Sequence, residues 1–204
     1  MGRPSDARQR LVKAAVKEIF AHSYASVSVD ELCSKAEVTK SSFYHFFPSK
    51  HELALVALDS YWQNLQRYVL EPAFSSDLPP QERLLRFFDL VYEGQRTLWE
   101  AQGYLRGCLA GNLTLEMSAQ DDAFRAKVAA IFKSWSGYIE HAVREEMARE
   151  GSAIFDPEMT AQAMLAYLEG VLLLAKSHNN PELIKQLRFG MLSLLHSGRN
   201  SGAH

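Results

Sequence analysis

The 204-residue sequence contains two cysteines, Cys33 and Cys108, too few for a disulfide framework and without the spacing of a metal-ligand set. Long apolar runs are missing too. The longest aliphatic stretch covers residues 53–58, whereas a membrane span needs about 20 apolar residues. The N-terminus lacks the apolar segment of a signal peptide, so a cytoplasmic protein with no membrane partner is expected. No G-x-S-x-G, H-E-x-x-H or Walker-type loop appears, and neither catalysis nor a cofactor is expected. His141 and Glu145 lie one helical turn apart and have the chemistry of a metal pair. A solvated ion pair is the simpler reading, and no metal is assigned.

What the chain does have is ordinary apolar content, 47%, enough for a sizeable core, and an uneven distribution of charge. The net charge is only -2, but residues 1–50 carry eight Lys and Arg against five acids, a local +3. The remainder is therefore acidic. A basic head on an acidic body suits a nucleic-acid-reading domain joined to something else, although a charged solvated surface alone also gives such a split.

The most informative stretch is S-V-D-E-L-C-S-K-A-E-V-T-K-S-S-F-Y-H-F-F-P-S-K, residues 28–50. Ser28 followed three residues later by Glu31 makes a capping box, which predicts a helix to about Lys35. Ala36, Glu37 and Val38 form the turn, and Thr39 caps a second helix. That helix must end by Phe46 or Phe47, because Pro48 disfavours helical geometry in the residue before it. On these two turns Phe43 and Phe47 share one face with Leu32 and Val38 as partners, while Lys40, Ser41, Tyr44 and His45 share the other. A short helix with such a polar face fits the major groove of B-DNA.

This segment, with the basic helix before it, resembles the DNA-binding domain of the TetR family of bacterial transcription regulators. The resemblance implies DNA contacts at Lys40, Ser41, Ser42, Tyr44 and His45, a phosphate contact at Lys50, and core roles for Phe43 and Phe47. Arg3, on a polar arm suited to a minor groove or to no contact at all, and the capping residues Ser28 and Thr39 complete the candidate DNA-binding set. A helical protein-interaction module without a DNA role is the reading from a different class.

Around the motif the chain reads as helix throughout: an all-α fold of about nine helices. Leu11, Ala15 and Ile19 predict a first amphipathic helix from about Asp6, so a three-helix helix-turn-helix domain is assigned to residues 1–50. Residues 51–204 are assigned to ligand sensing and dimerisation. A helix from Lys50 should run until Pro72 and the polar Ser75-Ser76-Asp77 break it, and Pro79-Pro80 should open the next, which fades by Gly103. A short helix from Leu109 to Met117 and a long one from Ser118 to about Glu150 follow. Asp156-Pro157 and Asn180-Pro181 begin the last two. These are apolar over too much of their circumference for one contact, and Gly170 and Gly190 sit mid-helix. A symmetric four-helix interface between two protomers accounts for both facts, and the resemblance puts the dimer interface there. The alternative is an internal core with incidental glycines.

Nine aromatic residues stand where they can line a cavity between helices: Trp62, Phe88, Tyr92, Trp99, Tyr104, Phe132, Trp135, Tyr138 and Tyr167. Each can equally be core. Arg106-Gly107-Cys108-Leu109 places a thiol at a helix start with a cation beside it and Asn112 one turn on, a setting that favours thiolate. A similar Gly-Cys-Leu occurs in a subset of TetR-like regulators that respond to electrophiles or oxidants, which implies a sensor role for Cys108. The other reading of Cys108, and the one taken for Cys33, is a small buried hydrophobe. The sequence thus points to a homodimeric regulator that binds a palindromic double-stranded operator as a repressor and is released by a small-molecule effector.

Overall fold

The computed structural model describes residues 4–75, 77–151 and 156–196, and every regular element among them is helical. The elements are α1 (Pro4–Ala21), α2 (Val29–Ala36), α3 (Lys40–Phe46), α4 (Lys50–Leu65), a π turn (Gln66–Leu70), α5 (Glu71–Phe74) and α6 (Pro80–Gln102). They continue with α7 (Leu109–Met117), α8 (Asp122–Glu150), α9 (Pro157–Ser177), α10 (Glu182–Leu187) and α11 (Gly190–His196). The π turn and α5 extend α4 without a break, and only Arg188 and Phe189 separate α10 from α11. With α4 to α5 taken as one rod and α10 with α11 as one interrupted rod, the described residues build nine rods.

Two compact units divide the chain. One comprises residues up to Asn64 together with Leu109–Ala129; the other comprises Leu65–Cys108 and residues from Ala130 onward. The first unit thus takes in more than residues 1–50. Its core is built by the apolar stripe of α1, with Leu11, Ala15 and Ile19, against Leu32, Phe43, Phe47, Leu53 and Leu58. Phe124 is fully enclosed in the same unit and meets the Tyr24 ring edge-on at 5.3 Å. Each such ring or aliphatic side chain contributes about 1.5–3 kcal/mol on burial.

The second unit is centred on aromatics. Phe87 touches Phe74 at 5.5 Å and Trp135 at 6.1 Å between ring centroids, and Phe88 meets Tyr167 at 6.2 Å. Leu84, Met164, Leu168 and Ile184 fill the space around them.

Two local expectations are corrected, while the helix from Lys50 passes Pro72 and ends at Phe74, with Ser75 as its C-cap, inside the expected break. Proline offers no N–H and its ring crowds the carbonyl four residues back, so the ladder widens instead, with the Glu71 N–H bonding Gln66 O, and the rod runs on to Phe74. The long helix starts at Asp122 rather than Ser118, because the cap is Asp121, whose Oδ1 accepts from the N–H of Ala123 and Phe124 at 2.9 and 3.0 Å. Gly190 is small for a reason inside the protomer: a Cβ there would collide with the Tyr167 hydroxyl and ring, and that hydroxyl donates to Leu187 O at 2.7 Å.

Candidate nucleic-acid interface and effector region

The capping box forms as read. Ser28 Oγ accepts from the Glu31 N–H at 3.1 Å, and the Glu31 carboxylate accepts from the Ser28 N–H at 2.9 Å, which holds the Glu31 carboxyl below its usual range. Glu37 then turns the chain in the left-handed region, at φ 53°, with its N–H reaching Cys33 O and Ser34 O. Thr39 Oγ1 accepts from the Ser42 N–H at 3.1 Å and starts α3, and Phe47, extended before Pro48, ends it. These caps leave Phe43 and Phe47 no orientation but inward. Both are buried, while Lys40, Ser41, Tyr44 and His45 are exposed and Ser42 is half-buried. Tyr44 is 54% exposed. Lys40 Nζ rests 2.8 Å from Asp30 on α2, a solvent-screened surface pair readily exchanged for another anion. Arg3 lies outside the described residues.

Lys50 is placed differently from a free phosphate ligand. Its ammonium donates to Tyr24 O at 2.8 Å and Val27 O at 2.9 Å and lies 4.3 Å above the Tyr24 ring. Burial pushes its pKa down, opposed by the Glu116 carboxylate. Glu116, on α7, accepts from the N–H of Tyr24 at 2.9 Å and of Ala25 at 2.7 Å. The α1–α2 loop is thus held by a cation on its carbonyls and an anion on its amides. His51 Nε2 reaches Asp121 Oδ2 at 2.9 Å, and Lys127 reaches Asp59 at 2.7 Å. Sequence reasoning missed Glu116 and Asp121, since no local pattern pairs residues some 70–90 positions apart.

In the second unit the turn before α7 is held by side chains. Gln95 Nε2 donates to Gly107 O at 2.8 Å, Asn179 Oδ1 accepts from the Leu105 N–H at 2.9 Å, and Gly107 has φ 73°, open to glycine. Cys108 is 5% exposed, and its side chain is hydrogen-bonded to the Glu169 carboxyl of α9. Burial raises the Glu169 carboxyl above its usual range, and the bond from Cys108 works the other way. Cys33 is also buried, and its thiol is pushed up by burial.

Two family descriptions match the chain: "Bacterial regulatory proteins, tetR family" over residues 11–57, and "Tetracyclin repressor-like, C-terminal domain" over residues 80–191. The chain belongs to the TetR family. It is 35% identical to the transcriptional regulator AcuR of Cereibacter sphaeroides over 86% of this chain and 79% of that protein. It is 30% identical to the transcriptional repressor DhaR of a Mycobacterium species, covering 88% and 87% of the two chains. A solved structure of a regulatory protein TetR from Rhodobacter sphaeroides superposes with a TM-score of 0.81 at 34% identity, covering 91% of this chain and 96% of that one. TetR proteins are DNA-binding transcription regulators, not enzymes.

Of the aromatic residues expected around a TetR effector cavity, Phe88 and Trp135 are buried in the ring cluster of the second unit, with Phe132 stacked on Trp135 at 6.3 Å. Tyr92 is buried at its ring and gives its hydroxyl to Glu182 at 2.6 Å. Trp99 is half-buried with its indole nitrogen enclosed, and Tyr104 is 39% exposed. Trp62 and Asn112, both half-buried, belong to the first unit. Tyr138 alone of these residues lines an open groove of about 380 Å³ in the second unit, with Glu71, Phe74, Ser134, Gly137 and His141. His141 meets Glu145 at 2.8 Å, and the same carboxylate pairs with the buried Arg83. Among the described residues no group of three or more His, Cys, Asp or Glu is placed to hold a metal, and no helix is long and apolar enough to cross a membrane.

Proposed function

We propose that this TetR chain is a homodimeric repressor that holds a palindromic operator and lets it go when a small molecule binds in the second unit. The observation that carries the reading is α3, whose Phe43 side is sealed into the core while Lys40, Ser41, Tyr44 and His45 face outward. Two such helices related by a two-fold axis enter successive major grooves when they stand about 34–36 Å apart.

The outward face of α9 supports the dimer. Met159, Ala163, Ala166, Gly170 and Leu173 are exposed at alternating spacings of four and three, with Leu174 beside them, and Met159 and Leu173 are 61% and 59% exposed. This is the seam pattern of paired helices. A Cβ at Gly170 would meet nothing within 4 Å in the protomer, so the open space there suits a second chain. Residues 1–50 carry the operator contacts and residues 51–204 carry sensing and dimerisation. The effector acts by preferring the DNA-incompetent state.

The test is a DNA-shift titration on the region upstream of the chain's own gene, with wild type, Lys40→Ala and Tyr44→Ala. Loss of binding in both variants is expected, with helix content unchanged. Normal binding by both would remove α3 from the interface.

A second reading, in which Cys108 is itself the switch and the effector is an electrophile or oxidant, is favoured by the Glu169 bond to the thiol. Release of wild type but not Cys108→Ser by a thiol reagent supports it.

A further inference from the structure

The groove in the second unit is bounded by two aromatic rings. Phe74 and Tyr138 stand with ring centroids 6.0 Å apart and planes tilted by 44°, around a space of about 380 Å³. Phe74 is buried and Tyr138 half-buried, while Glu71, Gly137 and His141 stand at the exposed rim. The π turn sets the register of one wall. A helix takes in an extra residue there, which rotates everything after it by about 100°, and it is in this shifted register that Glu71 and Phe74 line the groove. Gly137 opens the other wall. Glycine is a poor choice inside a 29-residue helix, and no packing in the protomer asks for it, since a Cβ there would meet nothing within 4 Å. The room it leaves belongs to the groove. Charge at the groove is unbalanced in one place. His141 Nε2 lies 2.8 Å from Glu145, and Glu145 is matched by the buried Arg83, which leaves Glu71 as the lining carboxylate with no partner among the described residues. Residues 51–204 hold 14 Lys and Arg against 19 acids, so the field of this part of the chain also favours cations.

We propose that this groove binds a small organic cation, with its ammonium group held between the Glu71 carboxylate and the Phe74 and Tyr138 rings. The proposal rests on the reading that an effector enters the second unit, and it names the chemistry of that effector. Aromatic rings attract a cation through the negative charge of their faces, and a neighbouring carboxylate adds a charge-assisted bond to the ammonium N–H groups. An anion is repelled by Glu71. An uncharged molecule can use the rings but leaves the carboxylate unanswered. The volume lies at the small end of ligand clefts, which run from about 300 to 1,000 Å³, and it suits a ligand of one or two rings.

The test uses the full-length protein and three probes of similar size and different charge, benzylammonium, benzyl alcohol and benzoate, with binding read by calorimetric titration at neutral pH. Benzylammonium should bind, and the other two should bind at least about tenfold more weakly. Glu71→Gln should remove most of that preference while leaving benzyl alcohol unchanged. Gly137→Leu puts a side chain into the groove and replaces a poor helix former with a good one, so it should keep its helix content and lose the binding of benzylammonium. Should Gly137→Leu fold poorly by circular dichroism, the exposed and isosteric Glu71→Gln decides. The proposal is overturned if benzylammonium does not bind at millimolar concentration, if either other probe binds as tightly, or if both variants bind like wild type. A DNA-shift titration with the same probe separates the two readings. Groove-dependent binding that leaves operator affinity unchanged would uphold the cation site and overturn its link to release. Operator release by another molecule, unaffected in both variants, would keep the effector reading and overturn the groove as its site.

Discussion

In the first unit three charged side chains end on backbone partners, Lys50 on two loop carbonyls, Glu116 on two loop amides and Asp121 on the first amides of α8, and two enclosed atoms, Arg10 Nε and Ser118 Oγ, have no partner among the described residues. In the second, Gln95, Trp99, Glu169, Ser136 and Glu146 each keep an enclosed polar atom with no partner among the described residues. The difference is one of degree: saturated contacts hold the α1–α2 loop and the start of α8 in a single geometry more firmly than partly saturated ones hold the second unit.

Four measurements would break or sharpen this contrast. The largest effect is expected from Phe43→Ala, which empties a fully buried site in the first unit and should cost about 3–5 kcal/mol in urea unfolding, abolishing DNA binding with it. Gly190→Ala comes next: the added methyl group meets the Tyr167 ring, and overpacking of this kind costs about 1–3 kcal/mol, with operator binding unaffected if the protomer still folds. Glu116→Ala leaves two partly exposed amides to water and should lower stability by about 1–2 kcal/mol, loosening the α1–α2 loop in hydrogen exchange. Were that loop unchanged, the first unit would not be held as argued.

The smallest effects are two pH dependences of opposite sign. The Asp121 carboxyl is held below its usual range by the amides of α8 and by His51, so its stabilisation is present above the unfolded value of about 4 and is lost as pH falls through the depressed folded value. The deficit of Asp121→Asn should therefore shrink in acid. Glu169 is raised by burial, so its contribution is full below its unfolded value and is lost as pH rises through the folded one. Glu169→Gln should gain in melting temperature over wild type as pH rises. Parallel curves for the two variants would show that the units do not differ in this respect.

Much of the fold was legible because its signals are local. Ser28 with Glu31, Thr39, Asp156-Pro157 and Gly103 each mark a helix end within four residues, and all four act where they were read. The orientation of α3 followed from two phenylalanines one turn apart. One element went astray where a stronger signal lay next to a weaker one. Ser118 was read as the start of α8, yet Asp121 holds the first amides of that helix. The loop clasp of Lys50 and Glu116 was not legible, because it joins residues that only tertiary packing brings together. The aromatic residues were legible as apolar but not as cavity or core, since helical spacing is the same for both.

Tyr167 and Gly190 carry a lesson about descent. The phenol fills the volume that the glycine leaves empty and ties itself to Leu187 there, so the two positions behave as one inherited character rather than two. A side chain acquired at 190 must displace the Tyr167 ring, and a smaller residue at 167 opens a void unless 190 grows. Divergence along this pair of helices must pass through joint replacement, or through an intermediate that is briefly less stable than either end.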